Sequence, residues 1–171
     1  MNNAAFKQNI FPLVKRAYPM LVRMLSDEEK AKDALQDILV KLWQNRRKLE
    51  QHANIEGYVF LVARNHCLDK IRERKKLGVS IPVSENLPQD IDGNTFAKEE
   101  LTKQIYKLIE MLPESQREVI LLRDLDGLDY TEIETITGLK TSHLRVLLSR
   151  ARKQIREQLQ KIEQDEKTTV R

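Results

Sequence analysis

The sequence predicts an all-α protein of two small helical domains joined by a flexible acidic linker, the second of them a helix-turn-helix domain. Three observations predict it. Apolar residues recur at helical spacing through most of the chain. Glycine and proline number only five each in 171 residues, with 40% hydrophobic and 33% charged positions, which argues against β-rich and disordered classes. The charges also fall into blocks. Seven cations against the single acid Glu157 lie between Lys140 and Lys161, and six against Asp69 and Glu73 lie between Arg64 and Lys76. Between those blocks, Val79 to Leu101 holds five acids and one cation, Lys98. Two basic blocks flanking an acidic connector point to two contacts with polyanions, although the net charge is only +4.

From the N-terminus, Phe6 to Leu25 is apolar and periodic but interrupted by Pro12 and Pro19, which predicts one short helix followed by a kinked one. Ser26-Asp-Glu-Glu29 reads as a capping box that starts the next helix at Asp27. Its apolar stripe is Ala31, Ala34, Leu35, Ile38, Leu42 and Trp43, and it ends near Arg46. Asn54 is a good N-cap for a third long helix carrying Tyr58, Leu61, Val62, Leu68 and Ile71 and stopping at Gly78. These helices form one bundle, residues 4–77.

Residues 78–97 contain Pro82, Pro88, Gly93 and several acids with no sustained period, a linker composition. Periodicity resumes at Leu101, Ile105, Leu108, Ile109 and Leu112. Pro113 fits the first position of a following helix whose apolar face is Val119, Ile120 and Leu122. Asp129 and Glu132 then make a capping-box variant, and Gly138 supplies the left-handed residue that closes a short helix. A last helix hides Leu144, Leu148, Ala151 and Ile155 and turns Thr141, Ser142, His143, Arg145, Ser149, Arg150 and Arg152 outward. Two helices around a glycine turn, the second one basic, form the pattern that lays a recognition helix in the DNA major groove. The second domain is thus four short helices over 98–162, followed by a polar tail.

Several classes of function find no support in these residues. His66 and Cys67 are adjacent and point to different sides of a helix, with no acid or base at triad or ligand spacing. No glycine loop cradles phosphate, so no catalytic residue, metal or cofactor is expected. The one cysteine rules out an internal disulfide and suits a reducing cytoplasm. The N-terminal apolar stretch, broken by Lys7, Pro12, Lys15, Arg16, Pro19 and Arg23, falls short of the roughly 18 uninterrupted residues a membrane span needs.

Four segments together resemble a bacterial RNA polymerase sigma factor of the extracytoplasmic-function type. Asp33-Ala-Leu-Gln36-Asp37-Ile-Leu-Val-Lys41-Leu-Trp43 and Tyr58-Val-Phe-Leu-Val-Ala-Arg64-Asn65-His-Cys-Leu-Asp69-Lys-Ile-Arg72 are similar to that family's region 2. Leu112-Pro113-Glu-Ser-Gln116-Arg117-Glu-Val-Ile-Leu-Leu and Gly138 through Lys153 are similar to its region 4. The pairing of the first two segments is the specific part, because helix-turn-helix elements occur in many regulators. Three positions depart from the pattern: Lys140 stands where a small capping residue is usual, so that Thr141 is a rival cap. Leu147 replaces a residue that is often basic, and Gly57 replaces a commoner alanine, loosening its turn by roughly 1 kcal/mol or less.

The resemblance implies a promoter-specificity subunit with residue-level expectations. Asp33, Gln36, Asp37 and Lys41 would dock on the clamp helices of the polymerase's largest subunit, a polar face suited to a non-obligate interface. Arg64, Asn65, Asp69 and Arg72 would hold melted −10 DNA, with a flipped base near Asn65 beside the Gln51–Glu56 loop, and Arg74, Lys75 and Lys76 would follow phosphates. On generic helices the first set is a solvated face, and Asp69 with Arg72 an ordinary ion pair. Lys140, Thr141, Ser142, His143, Arg145, Ser149, Arg150, Arg152 and Lys153 would meet the −35 duplex, Arg145 reading a guanine and Arg150, Lys153 and Arg156 taking phosphates. Trp43 reads as core, and of Tyr58 and Phe60 at least one does. Implied partners are core polymerase (clamp helices and flap), promoter DNA and an anti-sigma protein, with no small-molecule substrate and no membrane insertion. The alternatives are a stand-alone helix-turn-helix regulator and a helical adaptor for acidic proteins.

Overall fold

The computed structural model describes residues 1–78 and 96–169. The expected linker from 79 to 95 lies outside the described residues, as do the side chains of Lys75, 96–99 and 165–169. All regular structure among the described residues is helical. The helices divide into two compact units, 1–78 with Asp129–Gly138 and 96–128 with 139–169. The helix before the glycine turn therefore groups with the first unit, although the sequence places it within 98–162.

In the first unit, α1 (Asn3–Asn9), α2 (Phe11–Arg16) and α3 (Tyr18–Leu25) replace the expected short helix and kinked helix. Pro12 and Pro19 each occupy the first turn of a helix, where a missing N–H leaves no bond unmade, so each starts a helix instead of bending one. Ser26 does not cap the next helix. It ends α3 in the left-handed region at φ 51, and Asp27 is the cap, its Oδ1 accepting the Lys30 N–H at 3.0 Å. The helix α4 (Glu28–Gln44) buries Ala31, Ala34, Ile38 and Leu42, and stops two residues early because Arg46–Glu50 forms a separate helix, α5. Trp43 is half-buried, meeting Phe6 edge-on at 5.1 Å and lying 4.3 Å beneath Arg46.

The longest helix of this unit, α6 (Ile55–Lys76), begins as expected at Asn54, whose Oδ1 accepts the Gly57 N–H at 2.9 Å. Its buried face is not the expected one. Val59, Phe60, Ala63, His66 and Cys67 are inside, while Tyr58, Leu61, Val62, Leu68 and Ile71 are only half-buried. Apolar residues surround the first turns of α6, so periodicity alone could not choose among faces. Phe60 is the core aromatic, which leaves Tyr58 at the surface side. His66 and Cys67, expected on different sides, are both buried.

Completing this unit is α9 (Tyr130–Thr137), which packs on α6. Both arms of its capping box are present: Asp129 Oδ1 accepts the Glu132 N–H at 2.8 Å and Glu132 Oε2 accepts the Asp129 N–H at 2.7 Å. The Glu132 N–H and then the Thr131 hydroxyl, both donating to Asp129 Oδ1, hold the Asp129 carboxyl below the usual carboxylate range. Gly138 ends α9 in the left-handed region, at φ 72. Glu132, only 1% exposed, also accepts two bonds from the Arg16 guanidinium, at 2.9 and 3.1 Å. Thr135 seats over Gly57: a Cβ there would lie 2.9 Å from the Thr135 Cβ and 3.0 Å from its Oγ1. Glycine at 57 is thus explained by close approach.

In the second unit, α7 (Phe96–Glu110) starts two residues inside the expected linker. Pro113 directly precedes α8 (Glu114–Ile120) instead of opening it, and Val119, Ile120 and Leu122 are buried as expected. A π-helical turn, Leu121–Leu125, follows, closed by Asp126 N–H to the Leu121 carbonyl at 3.0 Å. The last helix, α10 (Thr141–Thr169), is not short: it continues through the expected polar tail. Lys140 rather than Thr141 stands before its first residue, and the Lys140 carbonyl accepts the Leu144 N–H at 3.0 Å. Leu144, Leu147, Leu148 and Ala151 are buried, and Ile155 is half-buried. Leu147 therefore serves the core, which accounts for the missing cation at that position.

Candidate polymerase and nucleic-acid interfaces

The polar face of α4 is a single stripe. Asp33, Gln36, Asp37, Lys41 and Gln44 are all exposed, at the three- and four-residue steps that place side chains above one another. Within it stands Val40, 54% exposed, which the sequence reading passed over. An apolar residue in register with the polar face was the available signal, and it gives the stripe a dry centre between charged ends.

Beneath the stripe lies His66, 5% exposed. Its Nδ1 is 2.9 Å from the Lys41 Nζ and its Nε2 is 3.5 Å from an Asp37 carboxylate oxygen. Burial, then the Lys41 ammonium, push the imidazole below its ordinary value of 6.5. An unfolded chain takes up this proton near 6.5 and the folded chain only at lower pH. The histidine therefore leaves stability intact above about 6.5 and removes it as pH falls from there to the folded value. Urea midpoints of the wild type are expected to drop across that window, and His66→Asn should flatten the drop. Parallel pH profiles for the two proteins would contradict the assignment. Next to it Cys67 is fully buried, its thiol pushed up to about 12 by desolvation, and so is inert.

On α6, Asn65, Asp69, Arg72 and Lys76 are exposed at steps of four, three and four, one continuous stripe. Asp69 and Arg72 pair at 3.1 Å, an exposed i,i+3 contact worth a few tenths of a kcal/mol. At the head of this helix Tyr58 stacks against His52, with ring centroids 4.4 Å apart. His52 is a second residue that the sequence did not single out, since it comes from the loop before α6. Aromatic faces leading into a polar, basic stripe are what unstacked bases and their phosphates need. Arg64 and Arg74 are half-buried. Arg74 donates to the Leu25 carbonyl at 3.4 Å, which ties it to α3 and away from the expected phosphate path. The Lys75 side chain lies outside the described residues.

Lys140, just before α10, and Ser142, His143, Arg145, Ser149, Arg150, Arg152 and Lys153 on it are exposed, and Thr141 is half-buried. Arg152 also has a partner within the chain. Its Nε and Nη2 donate to the two Asp124 oxygens at 3.0 and 2.6 Å, so its fork is already engaged with the π-helical turn. Arg145 and Ser149 keep the face expected for them, and Lys153 lies 3.8 Å from Glu157, an exposed i,i+4 contact. Among the described residues no cluster of three or more His, Cys, Asp or Glu is placed to hold a metal, and no helix is long and apolar enough to cross a membrane.

Residues 12–77 match the family described as Sigma-70 region 2, and residues 102–155 match Sigma-70, region 4. The two matches together take in more than half of the chain. It belongs to the sigma-70 factors, of the ECF type. Among curated relatives, the ECF RNA polymerase sigma factor SigE of Mycolicibacterium smegmatis is 27% identical over 156 residues, 85% of this chain and 58% of that protein. SigM of Bacillus subtilis is 26% identical over 140 residues, 81% of this chain and 85% of that one. Among solved structures, the sigma factor RpoE of Bartonella quintana, bound to the anti-sigma factor NepR, superposes with a TM-score of 0.68 at 25% identity, covering 91% of this chain and 97% of that one. CnrH, in complex with the cytosolic domain of CnrY, shares the fold with a TM-score of 0.64 at 19% identity, covering 93% and 90%. As an ECF sigma factor the chain acts with RNA polymerase in transcription initiation. A stand-alone helix-turn-helix regulator would need only region 4, so the region 2 match disfavours it.

Proposed function

We propose that this sigma factor divides its work between residues 4–77 and 98–162. The first part binds core polymerase through α4 and holds the melted −10 element on α6, and the second reads the −35 element as duplex through α10. The observation that carries this reading is the α6 stripe of Asn65, Asp69, Arg72 and Lys76 headed by the His52–Tyr58 stack. A solvated helix face has no need of an aromatic platform at its entrance. Asp33, Gln36, Asp37, Val40 and Lys41 meet the clamp helices of the largest subunit, and region 4 meets the flap. The factor itself catalyses nothing and works in the cytoplasm, under an anti-sigma protein of the kind that NepR is for its RpoE neighbour. Many phosphate contacts make its DNA affinity salt-sensitive, while a few base contacts give selectivity.

Run-off transcription with purified core polymerase tests the reading. Adding the factor should create new, promoter-dependent start sites, and Gln36→Ala should reduce them by weakening assembly. RNA starts that stay the same with and without the factor would refute it.

Arg145 is assigned to base reading and Lys153 to a phosphate. Arg145→Ala should therefore relax one −35 position, at about 1–3 kcal/mol of lost discrimination. Lys153→Ala should weaken all sequences alike. Selection from a randomised −35 library separates the two, and identical preference profiles for both variants would reject this division.

A further inference from the structure

The geometry around His66 carries a role that the region 2 and region 4 matches do not assign. We propose that His66 is a positioning residue for the polymerase-binding face, its imidazole holding the Lys41 ammonium and the Asp37 carboxylate apart and in place. The inference rests on the reading of α4 as that face.

The chemistry of the two partners dictates the state of the ring. A lysine ammonium only donates, so at 2.9 Å from Nζ the His66 Nδ1 must carry the accepting lone pair. In the neutral ring the proton then sits on Nε2, which is buried, has no hydrogen-bond partner among the described residues, and faces Asp37 at 3.5 Å. The charged groups that bear on the ring are Lys41 and Asp37 from α4 and Asp69 and Lys70 from its own helix.

The consequence lies in the helix α4. Asp37 and Lys41 are one turn apart on its exposed face, the spacing at which opposite charges pair with each other. A self-paired Asp37 and Lys41 would offer an incoming protein a closed, partly neutralised contact. With the ring between them, Lys41 is drawn to Nδ1 and Asp37 stays at the other nitrogen, each with free hydrogen-bonding capacity toward a partner. Lysine is also a side chain with much freedom to lose on binding, and a bond to a rigid buried ring removes part of that freedom beforehand. Protonating His66 would abolish the lone pair and set cation against cation.

The experiment measures the affinity of the full-length sigma factor for core polymerase at pH 8, with thermal unfolding of each variant recorded alongside. Lys41→Met and Asp37→Asn should each weaken binding. His66→Phe, which keeps a ring but loses the acceptor, should weaken it by roughly fivefold to tenfold, the scale of one side chain's lost pre-ordering. His66→Asn, whose amide oxygen reaches the place of Nδ1, should recover most of that loss. In a Lys41→Met background, His66→Phe should add less than about twofold, since its effect runs through Lys41.

Wild-type affinity in His66→Phe would overturn the inference if Lys41→Met and Asp37→Asn still weaken binding. A His66→Phe defect that persists undiminished in the Lys41→Met background, with no recovery in His66→Asn, would also overturn it and reduce the residue to packing. Full affinity in Lys41→Met and Asp37→Asn would sink the α4 reading itself, and this inference with it.

Discussion

Asn65→Ala should leave the sigma factor able to join core polymerase while cutting promoter-directed RNA synthesis by about tenfold to a hundredfold. The loss is that of holding one base. Extruding a base from a duplex costs a few kcal/mol, which stacking and pocket hydrogen bonds must offset. Losing the hydrogen bonds of one amide removes about 1–3 kcal/mol of that compensation. Asn65 is exposed, lies in line with Asp69 and Arg72, and leaves the buried face of α6 untouched, so the fold should not suffer. The discriminating measurement is a comparison of templates. On a promoter with a pre-melted −10 bubble, the variant should remain impaired, because the base is still not held. On core polymerase alone its affinity should match wild type. If Asn65→Ala initiates normally on duplex promoters, the assignment of α6 to opened DNA fails.

A large stability effect is expected from Glu132→Ala, about 2 kcal/mol. Glu132 closes the capping box of α9 and receives both arms of Arg16, so its removal loses a cap worth about 1 kcal/mol and a charge-assisted pair. The pair contributes less than a fully enclosed one, because Arg16 is 39% exposed and recovers water when its partner leaves. Glu132→Gln should lose less, since an amide oxygen still accepts the Asp129 N–H. Chemical denaturation provides the free energies, and amide exchange along Tyr130–Thr137 locates the effect. Unchanged midpoints together with unchanged exchange in α9 would show that this carboxylate contributes nothing to the docking of that helix.

How legible these features were depended on the distance over which each is determined. The capping box at Asp129 and the left-handed Gly138 were legible because they are settled within a few residues. The α4 stripe was legible as well, since a clean amphipathic period leaves one choice of polar face. On α6 the same reasoning failed: with apolar residues all around its first turns, the inside was decided by the helices packed on it, and Phe60 and Cys67 went inward instead of Leu61 and Leu68. The pair that Arg152 makes with Asp124 was not legible, because that partner lies 28 residues away on the π-helical turn. His66 read as isolated because Lys41 is 25 residues distant in sequence, on another helix. Leu147 read as a lost phosphate contact when it is a core side chain. Which side chains a strongly periodic helix exposes can be read from local pattern, whereas partners across helices cannot.

Gly57 and Thr135 share a space too small for two ordinary side chains, since a methyl at 57 would collide with the threonine. Their tolerance to mutation is therefore mutual: what position 57 can accept depends on what occupies 135. Glycine at 135 would remove the contacting Cβ and let alanine into the start of α6, whereas alanine at 135 keeps that Cβ, and alanine at 57 alone would lift α9 from its seat. Among descendants of this sequence, drift at either site should be conditional on the other, leaving a statistical linkage between two positions that lie far apart along the chain.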